Sequence, residues 1–133
     1  MGYHNEKVNY WVELADYDLK TAEAMLETER LLYVGFMCHQ TLEKILKAYY
    51  VSKLKDKPPY THNLSLLADR SKLYNELSEE QKDLLDTLEP LNIETRYPTD
   101  KEKILSSLNY EKCKGLIMGT RRLKEWIKNR LSD

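Results

Sequence analysis

The segment from Tyr33 to Tyr50, YVGFMCHQTLEKILKAYY, limits what this chain can fold into more than any other stretch. Val34, Leu42, Ile45, Leu46 and Tyr49, with Cys38 in phase, recur at the three- and four-residue steps of an amphipathic helix with one face against a core. Phe36, Gln40, Glu43 and Lys47 form a second stripe, and Lys44 lies beside it. An amide, a carboxylate and two ammonium groups therefore share a helix face next to the buried one. That face is either a solvated helix side, with a Glu43 to Lys47 pair contributing roughly a few tenths of a kcal/mol, or a surface that holds a polar partner.

The rest of the chain carries the same helical grammar. Asn5 caps a first helix to about Glu27, with Val8, Trp11, Val12, Ala15, Leu19, Ala22 and Leu26 on one stripe. The second helix spans about Leu31 to Lys55 and is stopped by Lys57-Pro58-Pro59. Thr61 caps a short third helix with Leu64, Leu67 and Ala68 on its apolar edge. Ser78-Glu79-Glu80-Gln81 reads as a capping box opening a fourth helix, with Leu84, Leu85 and Leu88 inward and an end near Pro90. After an irregular Leu91 to Pro98, Thr99 to Glu102 caps a short turn of helix. A terminal helix then runs from about Tyr110 to Leu131, with Leu116, Ile117, Leu123, Trp126, Ile127 and Leu131 as core. Gly115 and Gly119, four apart on it, mark a close approach by another helix. The expected fold is an all-α, up-and-down bundle of four main helices with one or two short additional ones, a single domain over residues 1–133.

A chain of 133 residues buries a self-sufficient core, so no disulfide or metal is required. Cys38 and Cys113 fall inside helical patterns without CxxC spacing and read as buried or half-buried thiols. The start MGYHNEKVNY lacks the apolar core of a signal peptide, and no run approaches the roughly 18 to 20 apolar residues of a membrane span, so the expectation is a cytoplasmic protein. Twenty-one basic and twenty-two acidic residues, net charge -1, argue against coating nucleic acid by bulk electrostatics. From Lys112 onward, however, Lys112, Lys114, Arg121, Arg122, Lys124, Lys128 and Arg130 face only Glu125 and Asp133. That basic end either complements a helix dipole or meets a phosphate-bearing ligand or acidic partner.

Motifs for chemistry are sparse. His4, His39 and His62 are far apart in sequence and belong to no HExxH or Cys/His cluster, so no metal site is expected. There is no Gly-rich phosphate loop, no GxSxG serine and no acidic pair with a distinctive spacing. Neither a catalytic residue nor a cofactor is read from the residues.

Phe36-Met37-Cys38-His39-Gln40 followed by Glu43-Lys44 and Lys47-Ala48, then Thr61-His62-Asn63-Leu64, then Arg96-Tyr97-Pro98, in this order and spacing, resembles the HEPN family (higher eukaryotes and prokaryotes nucleotide-binding). The resemblance runs from about Tyr10 to about Leu131. HEPN ribonucleases carry an arginine followed after four to six residues by a histidine for proton transfer. Arg96 matches the arginine by its place, but the positions allowed to histidine hold Lys101, Glu102 and Lys103, and no other arginine has a histidine at that spacing. The tyrosine that follows that histidine in one toxin branch is absent too. What the resemblance implies is the other branch, with a Gln-x-x-Glu-Lys helix and an Arg-Tyr-Pro loop. Its members are small homodimeric bundles, often encoded beside a minimal nucleotidyltransferase, for which nucleotide binding has been proposed. By that resemblance Arg96 contacts a phosphate, Gln40, Glu43, Lys44 and Lys47 line the polar face, and His62 and Tyr97 complete the set. The implied function is a nucleotide-binding or partner-binding subunit in a toxin–antitoxin pair, with a nucleotide or RNA as ligand. The alternatives are a metal-independent ribonuclease using Arg96 with His62 or Lys101, and a purely structural helical interaction module.

Overall fold

The computed structural model describes residues 6–92 and 98–131. It is an all-α bundle of six helices: α1 (Glu6–Glu27), α2 (Leu31–Leu54), α3 (Leu64–Arg70), α4 (Glu79–Leu88), α5 (Pro98–Ser107) and α6 (Tyr110–Lys128). Two 3-10 turns, Tyr74–Glu76 and Glu89–Leu91, flank α4. The expected class and up-and-down plan hold, and the amphipathic stripes explain why. On α1, Val8, Val12, Ala15, Leu19 and Ala22 are buried at steps of four, three, four and three. On α6, Cys113, Leu116, Ile117, Thr120, Leu123 and Ile127 do the same.

The second helix differs in kind. Its buried residues include Leu32, Val34, Cys38, Leu42, Ile45, Leu46, Tyr49 and Val51, but also Gly35, His39, Thr41, Glu43, Lys47 and Ser52. It contacts α1, α3, α4, α5, α6 and the Glu89–Leu91 turn. A helix packed by so many elements keeps little solvated face: Tyr33 is exposed, and Phe36, Met37, Gln40 and Lys44 are half-buried. Gly35 is part of that enclosure: a Cβ there would lie 2.8 Å from Leu91 Cδ1, so the glycine lets the turn after α4 press directly onto α2.

Helix ends follow local chemistry. Lys55 adopts a left-handed conformation, φ 56°, and its N–H returns to the Val51 carbonyl, so α2 stops before the Pro58-Pro59 pair. Asn63, rather than Thr61, caps α3, with its side chain accepting from the Leu66 N–H. Thr61 Oγ1 instead accepts from the Asn63 N–H at 3.1 Å, setting up the cap one step earlier. The Ser78/Gln81 capping box of α4 is present in both directions. The short turn expected at Thr99 to Glu102 is a ten-residue helix that starts at Pro98, where a missing N–H costs nothing. Trp126 and Leu131, expected in the core, are only partly buried against it.

Both cysteines are buried, and burial pushes the Cys38 thiol up to about 12, so neither offers a thiolate at neutral pH. Among the described residues no helix is long and apolar enough to cross a membrane.

Candidate functional site

Among the described residues, the polar face of α2 gathers His39, Gln40, Glu43, Lys44 and Lys47. His39, Glu43 and Lys47 stand four residues apart on one helical row, and the adjoining row holds Gln40 and Lys44. Glu43 is the hub. Its side chain is 3 % exposed, yet Lys47 Nζ donates to Oε2 at 3.1 Å and His62 Nδ1 donates to Oε1 at 2.9 Å. His39 Nδ1 lies 3.8 Å from the same Oε1, beyond hydrogen-bonding distance. The Lys47 ammonium also sits 5.4 Å from the centre of the Trp11 ring, a cation–π contact that helps a nearly buried charge tolerate its surroundings.

A second carboxylate closes the cluster from the other side. Glu89, which opens the turn pressed onto α2, accepts the Leu64 N–H on Oε1 at 2.8 Å and faces His39 Nε2 through Oε2 at 3.4 Å. It therefore ties α3 and α2 together. His39 is fully buried between the two carboxylates, and its Nδ1 has no hydrogen-bond partner. Burial holds its pKa below the ordinary histidine value, against the pull of Glu89 and Glu43. The neutral ring can protonate only one nitrogen, so one carboxylate always faces a bare lone pair.

His62 differs from His39 in the one respect that matters for function. Its side chain is 64 % exposed, and its Nδ1 is anchored to a buried carboxylate that can only accept. The proton must sit on Nδ1, and Nε2 is the free ring nitrogen. Beside this cluster, Lys44 Nζ donates to Asp18 Oδ2 of α1 at 2.7 Å and to Gln40 Oε1 at 3.1 Å, and Gln40 Nε2 donates to Asn92 Oδ1 at 3.1 Å. Asn92 is the last described residue before the Arg96-Tyr97 segment.

Of the residues expected at the site, Gln40, Glu43, Lys44, Lys47 and His62 come together on this face, whereas Arg96 and Tyr97 lie outside the described residues. His39 and Glu89 were not expected there. The row His39, Glu43, Lys47 was a readable signal for the first, but nothing local in the sequence points Glu89 at it. The separation of His39 and His62 along the chain hides that both lie beside Glu43, His62 in hydrogen-bond contact and His39 just beyond it. No group of three or more His, Cys, Asp or Glu side chains with metal-binding geometry exists among the described residues.

The basic end of the chain is largely neutralised from within. Lys124 and Lys128 both donate to Asp16 of α1, Arg121 pairs with Glu23, and Arg130 pairs with Glu76 at 2.6 Å while lying 4.0 Å over the Trp126 ring. Lys112, Lys114 and Arg122 remain exposed.

The model of the HEPN domain family matches residues 8–130. A crystal structure of TT1696 from Thermus thermophilus superposes with a TM-score of 0.80 at 16 % identity, over 96 % of this chain and 100 % of that one, which speaks for the fold alone. No curated protein matches the chain.

Proposed function

This chain belongs to the HEPN family, and from that premise we propose that it is a nucleotide-binding or partner-binding subunit of the branch with a Gln-x-x-Glu-Lys helix and an Arg-Tyr-Pro loop. It works as a homodimer with a minimal nucleotidyltransferase, as one half of a toxin–antitoxin pair. The observation that carries this reading is the gathering of Gln40, Glu43, Lys44, Lys47 and His62 on one face of α2, with Gln40 holding Asn92 at the start of the segment that contains Arg96. Ordinary folding gives no reason to enclose so many charged groups on a central helix, because their desolvation is costly and apolar residues fill such space at least as stably. In this reading Arg96 supplies a guanidinium suited to bidentate phosphate contact, and Gln40 and Lys44 complete the polar wall.

Titration calorimetry with ATP, and separately with a purified minimal nucleotidyltransferase, tests the proposal. Arg96→Ala should weaken one of the two by about 1 to 3 kcal/mol, the range for hydrogen bonds to charged groups, with unchanged helical content. Equal binding of both by wild type and variant, or binding to neither, would sink it. Light scattering should report about twice the 15.8 kDa of one chain; a monomer at micromolar concentration would remove the dimer from the proposal.

A further inference from the structure

The polar residues on α2 do not share one role, and their exposure separates them. Glu43 and Lys47 have side chains only 3 % and 10 % exposed, too enclosed to meet a ligand directly. His62 meets solvent and is held by Glu43 from behind. A buried carboxylate on one imidazole nitrogen, with the other nitrogen free at the surface, is the arrangement that fixes a histidine's tautomer and aims it outward. Lys47 orients Glu43 through its other oxygen.

We infer that Glu43 is a positioning residue acting through His62, and that the outward Nε2 of His62 is the atom that meets a phosphate oxygen of the bound nucleotide. This rests on the nucleotide-binding reading above. It divides the labour of the site: Glu43 and Lys47 form a support that never touches ligand, and His62 is the contact. When His62 is protonated, Nδ1–H stays on Glu43 and Nε2–H is donated to the phosphate, a charge-assisted bond that the neutral ring, with only a lone pair at Nε2, cannot make. Binding of the phosphate is therefore coupled to uptake of a proton on His62. Glu43 is the charged group in contact with that ring; behind it, Lys47 and His39 of α2 lie against Glu43, and Glu89 of the turn after α4 lies against His39, which is fully buried and so offers ligand nothing.

Two measurements on the full chain decide it. Long-range nitrogen–proton NMR spectra at neutral pH should show His62 protonated on Nδ1. In the double variant Glu43→Gln, Lys47→Met, which removes the buried pair together so that neither charge is left alone, the Nε2–H tautomer usual for free histidine should dominate. With ATP as the probe, wild-type affinity should fall as pH rises, by about tenfold more than in His62→Gln, as expected for loss of a hydrogen bond to a charged group. His62→Gln replaces an exposed side chain with one that can still donate to Glu43, and an unchanged circular dichroism spectrum is the check that the fold is kept. An Nε2–H tautomer in the wild type overturns the inference, and so does ATP binding with the same affinity and pH slope in His62→Gln. If the wild type binds no ATP at any pH, the nucleotide reading falls, and the role of Glu43 then stands or falls on the tautomer alone.

Discussion

Two clusters of opposite charges stitch this bundle, and they are built from the same side chains to different ends. Along the α1–α6 seam, Asp16, Glu23, Arg121, Lys124, Glu125 and Lys128 form a ladder that is open to solvent except at Lys124, whose side chain is buried, whereas Arg121 and Glu23 are 46 % and 42 % exposed. On α2, Glu43 and Lys47 make the same i, i+4 pair that any solvated helix displays, but enclosed. In water, the attraction between such charges is nearly cancelled by hydration and side-chain entropy; inside, removing one partner strands the other. Spacing is therefore a poor guide to what an ion pair does, and enclosure is a good one.

The largest contrast should come from single truncations. Lys47→Ala should destabilise by about 3 to 5 kcal/mol in urea unfolding, since it takes the ammonium from a buried carboxylate that then keeps only the His62 N–H. A loss below about 1 kcal/mol would show the α2 pair to be as solvated as the ladder. A glycine replaced on each side sharpens the comparison next. Gly35→Ala drives a Cβ into Leu91 beside the buried cluster and should cost about 1 to 3 kcal/mol. Gly115→Ala on α6, where a Cβ meets nothing within 4 Å, should stabilise by roughly 0.5 to 1 kcal/mol. Equal effects would mean that the Leu91 turn yields freely.

Acid should separate the two regions by where each fails. His39 has a folded-state pKa below its ordinary 6.5, so the unfolded chain binds the proton more readily, and the α2 cluster loses stability as pH falls below about 6.5. Asp16 is the reverse case. Burial alone would raise it, but Lys124 and Lys128 outweigh that and hold it below the usual 3.8, so the ladder's contribution persists at moderate acidity and fades only as pH drops through that lowered value. Urea midpoints at about pH 7, 5.5 and 4 should therefore decline in the wild type and decline less in His39→Gln. Parallel curves would remove His39 as the cause. The smallest effect belongs to the surface: Arg121→Ala should cost less than about 1 kcal/mol and should be masked by salt.

Much of the fold was legible because helix stripes and caps are local. The Ser78-to-Gln81 box, the buried stripe of α1 and the Val34 to Tyr49 stripe all stand where the periodicity puts them. The site was legible in membership but not in depth. Gln40, Glu43, Lys44 and Lys47 could be placed on one face, yet whether that face is wet depends on what packs over it, and the elements that do so, His62 and Glu89, come from distant parts of the chain. Thr61 and Asn63 show the same limit at short range, since either can cap and only the folded backbone selects Asn63.

The seam between α1 and α6 also bears on how the chain reaches this structure. The turn from Thr28 to Arg30 lets α1 and α2 pair while the rest is still a coil, whereas Asp16 meets Lys124 and Lys128 only after loops of 108 and 112 residues have closed. The helical hairpin is thus the natural nucleus, and docking of α6 the late step. Substitutions along the ladder should leave the refolding rate almost untouched and act instead on how quickly the native molecule comes apart.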